Sequence, residues 1–157
     1  MTTFGITGHQ RAPAEVWGSL HVELRRLFSG TRPLVGVSSL AAGADQEFAS
    51  ALQCAGGSLH VILPSSHYES SFDNEHDLAQ FRDLLSRAVE VETLDFAEPS
   101  EDAYLAAGQR VVDECDVLVA VWDGLPAQGK GGTADVVAYA RTTKTPVTVV
   151  WPSGVRR

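Results

Sequence analysis

The sequence predicts an α/β protein built on a doubly wound parallel sheet of about six strands with helices on both faces. Three observations lead there. Short β-branched runs alternate with longer helical patterns from end to end. Two of those runs, at residues 117–122 (Val-Leu-Val-Ala-Val-Trp) and 147–151 (Val-Thr-Val-Val-Trp), are nearly all apolar, as a strand covered on both faces requires. Glycines and small polar residues follow several strands directly, where such a sheet places its ligands.

The elements follow in order. Strands are predicted at 3–7, 34–38, 59–63, 89–94, 117–122 and 147–151. The first helix opens near Pro13, which suits an opening turn. Val16, Leu20, Leu24 and Leu27 then form one stripe at three- and four-residue steps. A second helix covers 44–55, with Phe48, Ala51, Leu52 and Ala55 inward and Gly56-Gly57 ending it. A third spans 78–88 with Leu78, Phe81 and Leu85 on one face. Ser100 caps a fourth that runs to Cys115, and a fifth covers 134–142. Residues 65–74 and 95–101 read as loops. The chain shows no internal repeat, low-complexity tract or linker, so residues 1–157 are expected to form a single domain.

Composition narrows the function classes. The formal net charge is −8, and a globally acidic surface repels a polyanion at long range, so the expectation is no nucleic-acid partner. No apolar run approaches the roughly 20 residues needed to span a bilayer, and no signal peptide opens the chain, so the expectation is a cytoplasmic protein with no membrane partner. Cys54 and Cys115 have no CxxC spacing and are read as buried free thiols. His21, His60, His67 and His76 show no metal spacing, so no metal and no certain cofactor is expected.

The strand ends carry the chemistry. After the first strand stand Gly8, His9, Gln10 and Arg11, read either as donors beside a close backbone approach or as a tight solvated turn. After the second come Ser38, Ser39, Leu40, Ala41, Ala42, Gly43, Ala44 and Asp45. Hydroxyls and small residues opening a helix suit an anion at its N-terminus. Asp45 is read as a partner for a ribose hydroxyl or as the residue that orders the loop. After the fifth strand comes the strongest local signal, Gly129, Lys130, Gly131, Gly132 and Thr133, a glycine-rich turn that precedes a helix. Thr133 is read as both helix cap and phosphate ligand. Its spacing is not that of a Walker A loop. Trp122 is placed to stack on a base or to pack against a helix, and Tyr104 lies early enough in its helix to reach the crevice.

Together these segments resemble the SLOG superfamily, named for the DprA/Smf proteins and the LOG cytokinin-activating enzymes. Residues 38–45 look like the Ser-Gly-Leu-Ala-Arg-Gly-Ile-Asp segment of DprA-type domains, and residues 129–133 are similar to the Gly-Gly-x-Gly-Thr phosphate loop. The nearest subgroup is the small stand-alone proteins labelled lysine decarboxylase-like or molybdenum-cofactor-carrier-like. The resemblance implies a Rossmann-like fold, nucleotide-type ligands and a homodimer or tetramer. In LOG enzymes the loop runs on to a glutamate, whose position falls here on Val136, with Asp135 one residue earlier, and a loop glycine falls on Lys130. In the DprA-like segment the arginine falls on Ala42 and a glycine on Ser39. Two functions are therefore expected. The first is a binding or sensing module for a phosphate-bearing nucleotide or nucleotide-derived ligand. The alternative is a nucleoside-monophosphate N-glycosidase or deoxyribosyl-transfer enzyme, with Asp45 or Asp123 as carboxylate and Tyr104 or His9 as supporting donor.

Overall fold

The computed structural model describes residues 1–127 and 132–157. Its order is β1 (Thr2–Gly8), α1 (Ala14–Phe28), β2 (Leu34–Ser38), α2 (Ala44–Cys54), β3 (Ser58–Leu63), α3 (Glu75–Ser86), β4 (Glu90–Thr93), α4 (Glu101–Glu114), β5 (Val117–Val121), α5 (Thr133–Thr142) and β6 (Val147–Val150). The strands form one parallel sheet in the order β4-β3-β2-β1-β5-β6. This is the doubly wound Rossmann-like arrangement the sequence predicts. The chain winds outward from β1 to β4, then returns and winds the other way through β5 and β6.

Alternation along the strands separates two cores. On one face Phe4, Ile6, Leu59, Val61 and Val119 pack with the stripe Val16, Leu20 and Leu24 of α1, with Phe48 and Leu52 of α2 and with Phe81 of α3. On the other, Val37, Ile62 and Leu118 pack with Val111 and Val112 of α4 and Val136 and Ala140 of α5. Right-handed crossovers account for this division, because the direction of winding reverses after β4.

Local chemistry sets the element ends. Ser100 caps α4, its hydroxyl accepting from the Ala103 amide at 3.0 Å. Asn74 does the same for α3 through the Asp77 amide at 2.8 Å, so that helix starts earlier than its apolar stripe indicates. Part of the segment read as loop is a 3₁₀ turn, Tyr68–Ser71, with Tyr68 buried against Phe72 and Phe81. Cys54 is exposed, because it ends α2 on the solvent side, which corrects its reading as a buried thiol. No helix among the described residues is long and apolar enough to cross a membrane.

Candidate functional site at the strand switch point

A cavity of about 690 Å³ opens at the carboxyl end of β1, bordered by the β2–α2 and β3–α3 connections, α4 and the first turn of α5. It lies beside the reversal of strand order between β1 and β5, where the sheet's splayed connections leave a crevice.

Two glycines fix its inner wall. A Cβ on Gly8 would stand 2.5 Å from the Ala44 Cβ and 2.7 Å from the Val121 Cβ, so β1 ends in contact with both α2 and β5. Gly43 has φ +83° and ψ −125°, and a Cβ there would meet the Gln10 carbonyl oxygen at 2.3 Å. The β1–α1 loop therefore crosses directly over the start of α2, and the Ala44 amide donates to the His9 carbonyl at 3.2 Å. Gly8, His9 and Gln10 border the cavity; Gly43 stands behind it as a packing residue.

The β2–α2 turn is closed on itself. Ser38 is fully buried. Its hydroxyl accepts from the Leu40 amide at 3.0 Å and donates to the Asp45 carbonyl at 3.4 Å, and it does not border the cavity. The Asp45 carboxylate accepts the Ala41 amide at 3.3 Å and the Ser39 amide. Amides that the sequence assigns to an incoming anion are thus taken by the protein's own carboxylate. Asp45 and Ser39 still border the cavity. Burial pushes the Asp45 carboxyl up from 3.8 to about 7, against the opposing pull of those two amides. Tyr68, buried nearby, is pushed up as well, first by burial and then by the Asp45 charge.

The α5 end is more open. Gly132 occupies the N-cap position and Thr133 is the first helical residue, and both border the cavity. No side chain caps this helix, which corrects the reading of Thr133 as its cap: one position into the helix, its hydroxyl no longer faces the N2 and N3 amides. Gly129, Lys130 and Gly131 lie outside the described residues. Val136, 2% exposed, packs against Gly108 so closely that a Cβ on that glycine would meet Val136 Cγ2 at 2.5 Å.

Tyr104 borders the cavity with Tyr68 and Phe72, the Tyr68 and Tyr104 ring centres 6.5 Å apart. Trp122 does not border it; its ring lies under the Arg141 guanidinium at 5.7 Å, and its indole N–H donates to the Leu125 carbonyl at 2.8 Å. Asp123 also stands behind the cavity wall, 5% exposed at its side chain, with His9 Nε2 3.5 Å from Oδ1 and Arg157 Nε 3.1 Å from Oδ2. Burial and the Arg157 charge hold His9 below its ordinary pKa, outweighing Asp123. The other paired histidines face glutamates, His21 with Glu47 at 2.7 Å, His67 with Glu98 at 2.7 Å and His60 with Glu90 at 3.6 Å. Among the described residues there is no group of three or more metal-ligating side chains.

No family model matches the sequence, and no curated protein matches it. Solved structures do. DNA processing protein A (DprA) from Streptococcus pneumoniae superposes with a TM-score of 0.72 at 15% identity, over 98% of this chain and 52% of that one. The chain thus spans about half the length of that protein. DNA processing protein A from Helicobacter pylori, described by its single-stranded DNA binding mode, gives 0.73 at 18% identity, over 98% of this chain and 67% of that one. The molybdenum cofactor binding protein from Rippkaea orientalis gives 0.63 at 17% identity, over 94% and 75%.

The protein is therefore a Rossmann-like α/β protein of the kind found in DprA and the molybdenum cofactor carriers, and the likeness to the SLOG superfamily holds at the level of the fold. One expectation is corrected. The exclusion of a nucleic-acid partner does not stand, because a protein containing this fold has a single-stranded DNA binding mode. The physical reason is range: at physiological salt a net charge is screened within about 8 Å, so local groups decide contact binding.

Proposed function

We propose that the cavity binds a phosphate-bearing nucleotide or nucleotide-derived small molecule, and that the protein acts as a binding or sensing module. The observation that carries this reading is the 690 Å³ cavity at the switch point, bordered on one side by the first turn of α5 and on another by Tyr68, Phe72 and Tyr104. The first-turn amides of a helix have no intrahelical acceptor and favour an anion, while aromatic side chains offer a surface to a planar group. Gly132 and Thr133 would hold the phosphate together with the preceding Gly129, Lys130 and Gly131, and Gly8, His9, Gln10 and Ser39 would line the ligand's path. A protein of this fold named for binding the molybdenum cofactor agrees with a small-molecule role.

Isothermal titration with nucleoside monophosphates, pyrophosphate and a short single-stranded oligonucleotide tests the reading. Saturable binding of a mononucleotide supports it. Binding of the oligonucleotide with no mononucleotide binding below millimolar concentration replaces it with a nucleic-acid reading.

One observation favours a second reading, cleavage of an N-glycosidic bond. Asp45 is a buried carboxyl bordering the cavity and titrating at about 7, which suits a group that exchanges a proton near neutrality. Release of free base from adenosine monophosphate, abolished in Asp45→Asn, supports that reading; purified protein that releases none removes it.

A further inference from the structure

We propose that Arg157, held by Asp123 and His9, joins the first turn of α5 in binding the ligand's phosphate, with Asp123 as its positioning residue. The proposal rests on the small-ligand reading and specifies its anion site.

The charged side chains bordering the cavity are mostly carboxylates. Asp45, Asp73, Asp77 and Glu101 border it. Among the described residues its two cationic side chains are Arg11 and Arg157. Arg11 is 82% exposed and paired with Asp73 at 3.5 Å, so it points its charge at a carboxylate in open solvent. Arg157 is different: its side chain is 28% exposed and its anchor is buried.

That anchor stands on the sheet. Gly8 and Val121 are register partners on β1 and β5, so the residues that follow, His9 and Asp123, emerge side by side. Arg157 Nε lies 3.1 Å from Asp123 Oδ2 and Nη1 lies 3.3 Å from His9 Nδ1. A guanidinium only donates, so His9 Nδ1 accepts and the imidazole proton sits on Nε2, toward Asp123 Oδ1. The 3.4 Å approach of the Asp123 amide to that nitrogen is then a contact, not a hydrogen bond. The His9 ring is further fixed edge-on against Trp151, centres 5.4 Å apart. Asp123 Oδ2 is buried and takes no hydrogen bond, its Arg157 contact being an ion pair of imperfect geometry. A buried carboxylate with no other neutralising cation among its described contacts draws the guanidinium to this side of the cavity. Two of the five guanidinium N–H groups face this anchor, which leaves further donors on a residue bordering the cavity. A planar fork with donors to spare suits a phosphate.

The test is titration with pyrophosphate, adenosine monophosphate and adenosine. Arg157→Ala strands the Asp123 charge, so the Arg157→Ala/Asp123→Asn double variant is measured beside it. Affinity for pyrophosphate and the monophosphate is expected to fall about tenfold or more in both variants, with adenosine unchanged. Asp123→Asn alone should weaken the monophosphate several-fold, and add nothing once Arg157 is gone. Monophosphate binding that Arg157→Ala leaves intact overturns the assignment while the nucleotide reading stands. Pyrophosphate binding that depends on Arg157, without any nucleotide binding, supports the assignment and removes the nucleotide reading. A wild-type protein that binds none of the three overturns both.

Discussion

Asp45 connects loop order, burial and titration in one side chain. Its carboxylate gathers the Ser39 and Ala41 amides, yet burial raises it to about 7. Between about pH 4 and pH 7 the folded protein keeps a proton there that the unfolded chain releases. The folded state therefore binds more protons, and stability falls as pH rises through that window, by up to about 1.4 kcal/mol per pH unit. Asparagine is nearly the shape of the protonated acid and does not titrate. The expected result is that Asp45→Asn matches the wild type near pH 4 and becomes progressively more stable relative to it toward pH 8, in denaturant midpoints measured across the series. Parallel curves would contradict the assignment. Glycines give a second pair of residue-scale outcomes. Gly43→Ala combines a strained φ of +83° with a 2.3 Å clash on Gln10 backbone, and should cost at least about 2 kcal/mol. Gly18→Ala, exposed within α1 with nothing near its Cβ position, should stabilise by about 0.5–1 kcal/mol.

At the scale of elements, the helices are held by caps at their ends and stripes along their lengths. Removing the α4 cap with Ser100→Ala should cost about 1 kcal/mol. Leu24→Ala, at a position with no exposure at all, should cost about 2–5 kcal/mol; thermal or denaturant unfolding reads both. These are also the features that were legible in the chain. Burial recurs every three to four residues along α1, so Val16, Leu20 and Leu24 announce the helix. The β5 run is apolar because both of its faces are covered, Leu118 in one core and Val119 in the other. The Ser100 cap is a local bond, which a local pattern can reveal. The site was legible only as far as chemistry is local. Gly8, Ser39, Gly132 and Thr133 stand where the strand-end rule puts them, at the cavity. Ser38 and Gly43 do not border it, because one closes the turn and the other admits the Gln10 backbone. The His9 contacts with Asp123 and Arg157 join residues 114 and 148 positions apart, and no spacing rule reaches that far. Tyr68 and Phe72 were hidden for a related reason: a polar stretch enclosed them, and only the 3₁₀ turn brings the Tyr68 ring against α3 and α4.

At the scale of the whole molecule, the position of the cavity follows from the reversal of strand order. The reversal gathers the ends of β1 and β2, the first turn of α5 and the Arg157 segment around one cavity. A second groove, between α1 and α2, is lined by His21, Arg25, Phe28, Arg32 and Cys54, and it provides an internal control for where a small ligand settles. Amide chemical-shift mapping during titration with adenosine monophosphate tests the central claim most directly. Shifts concentrated at Gly8–Arg11, Ser39, Gly132 and Thr133, with the α1–α2 groove undisturbed, are the predicted result. Saturating shifts confined to His21, Arg25 and Cys54, or none at any site, would contradict it.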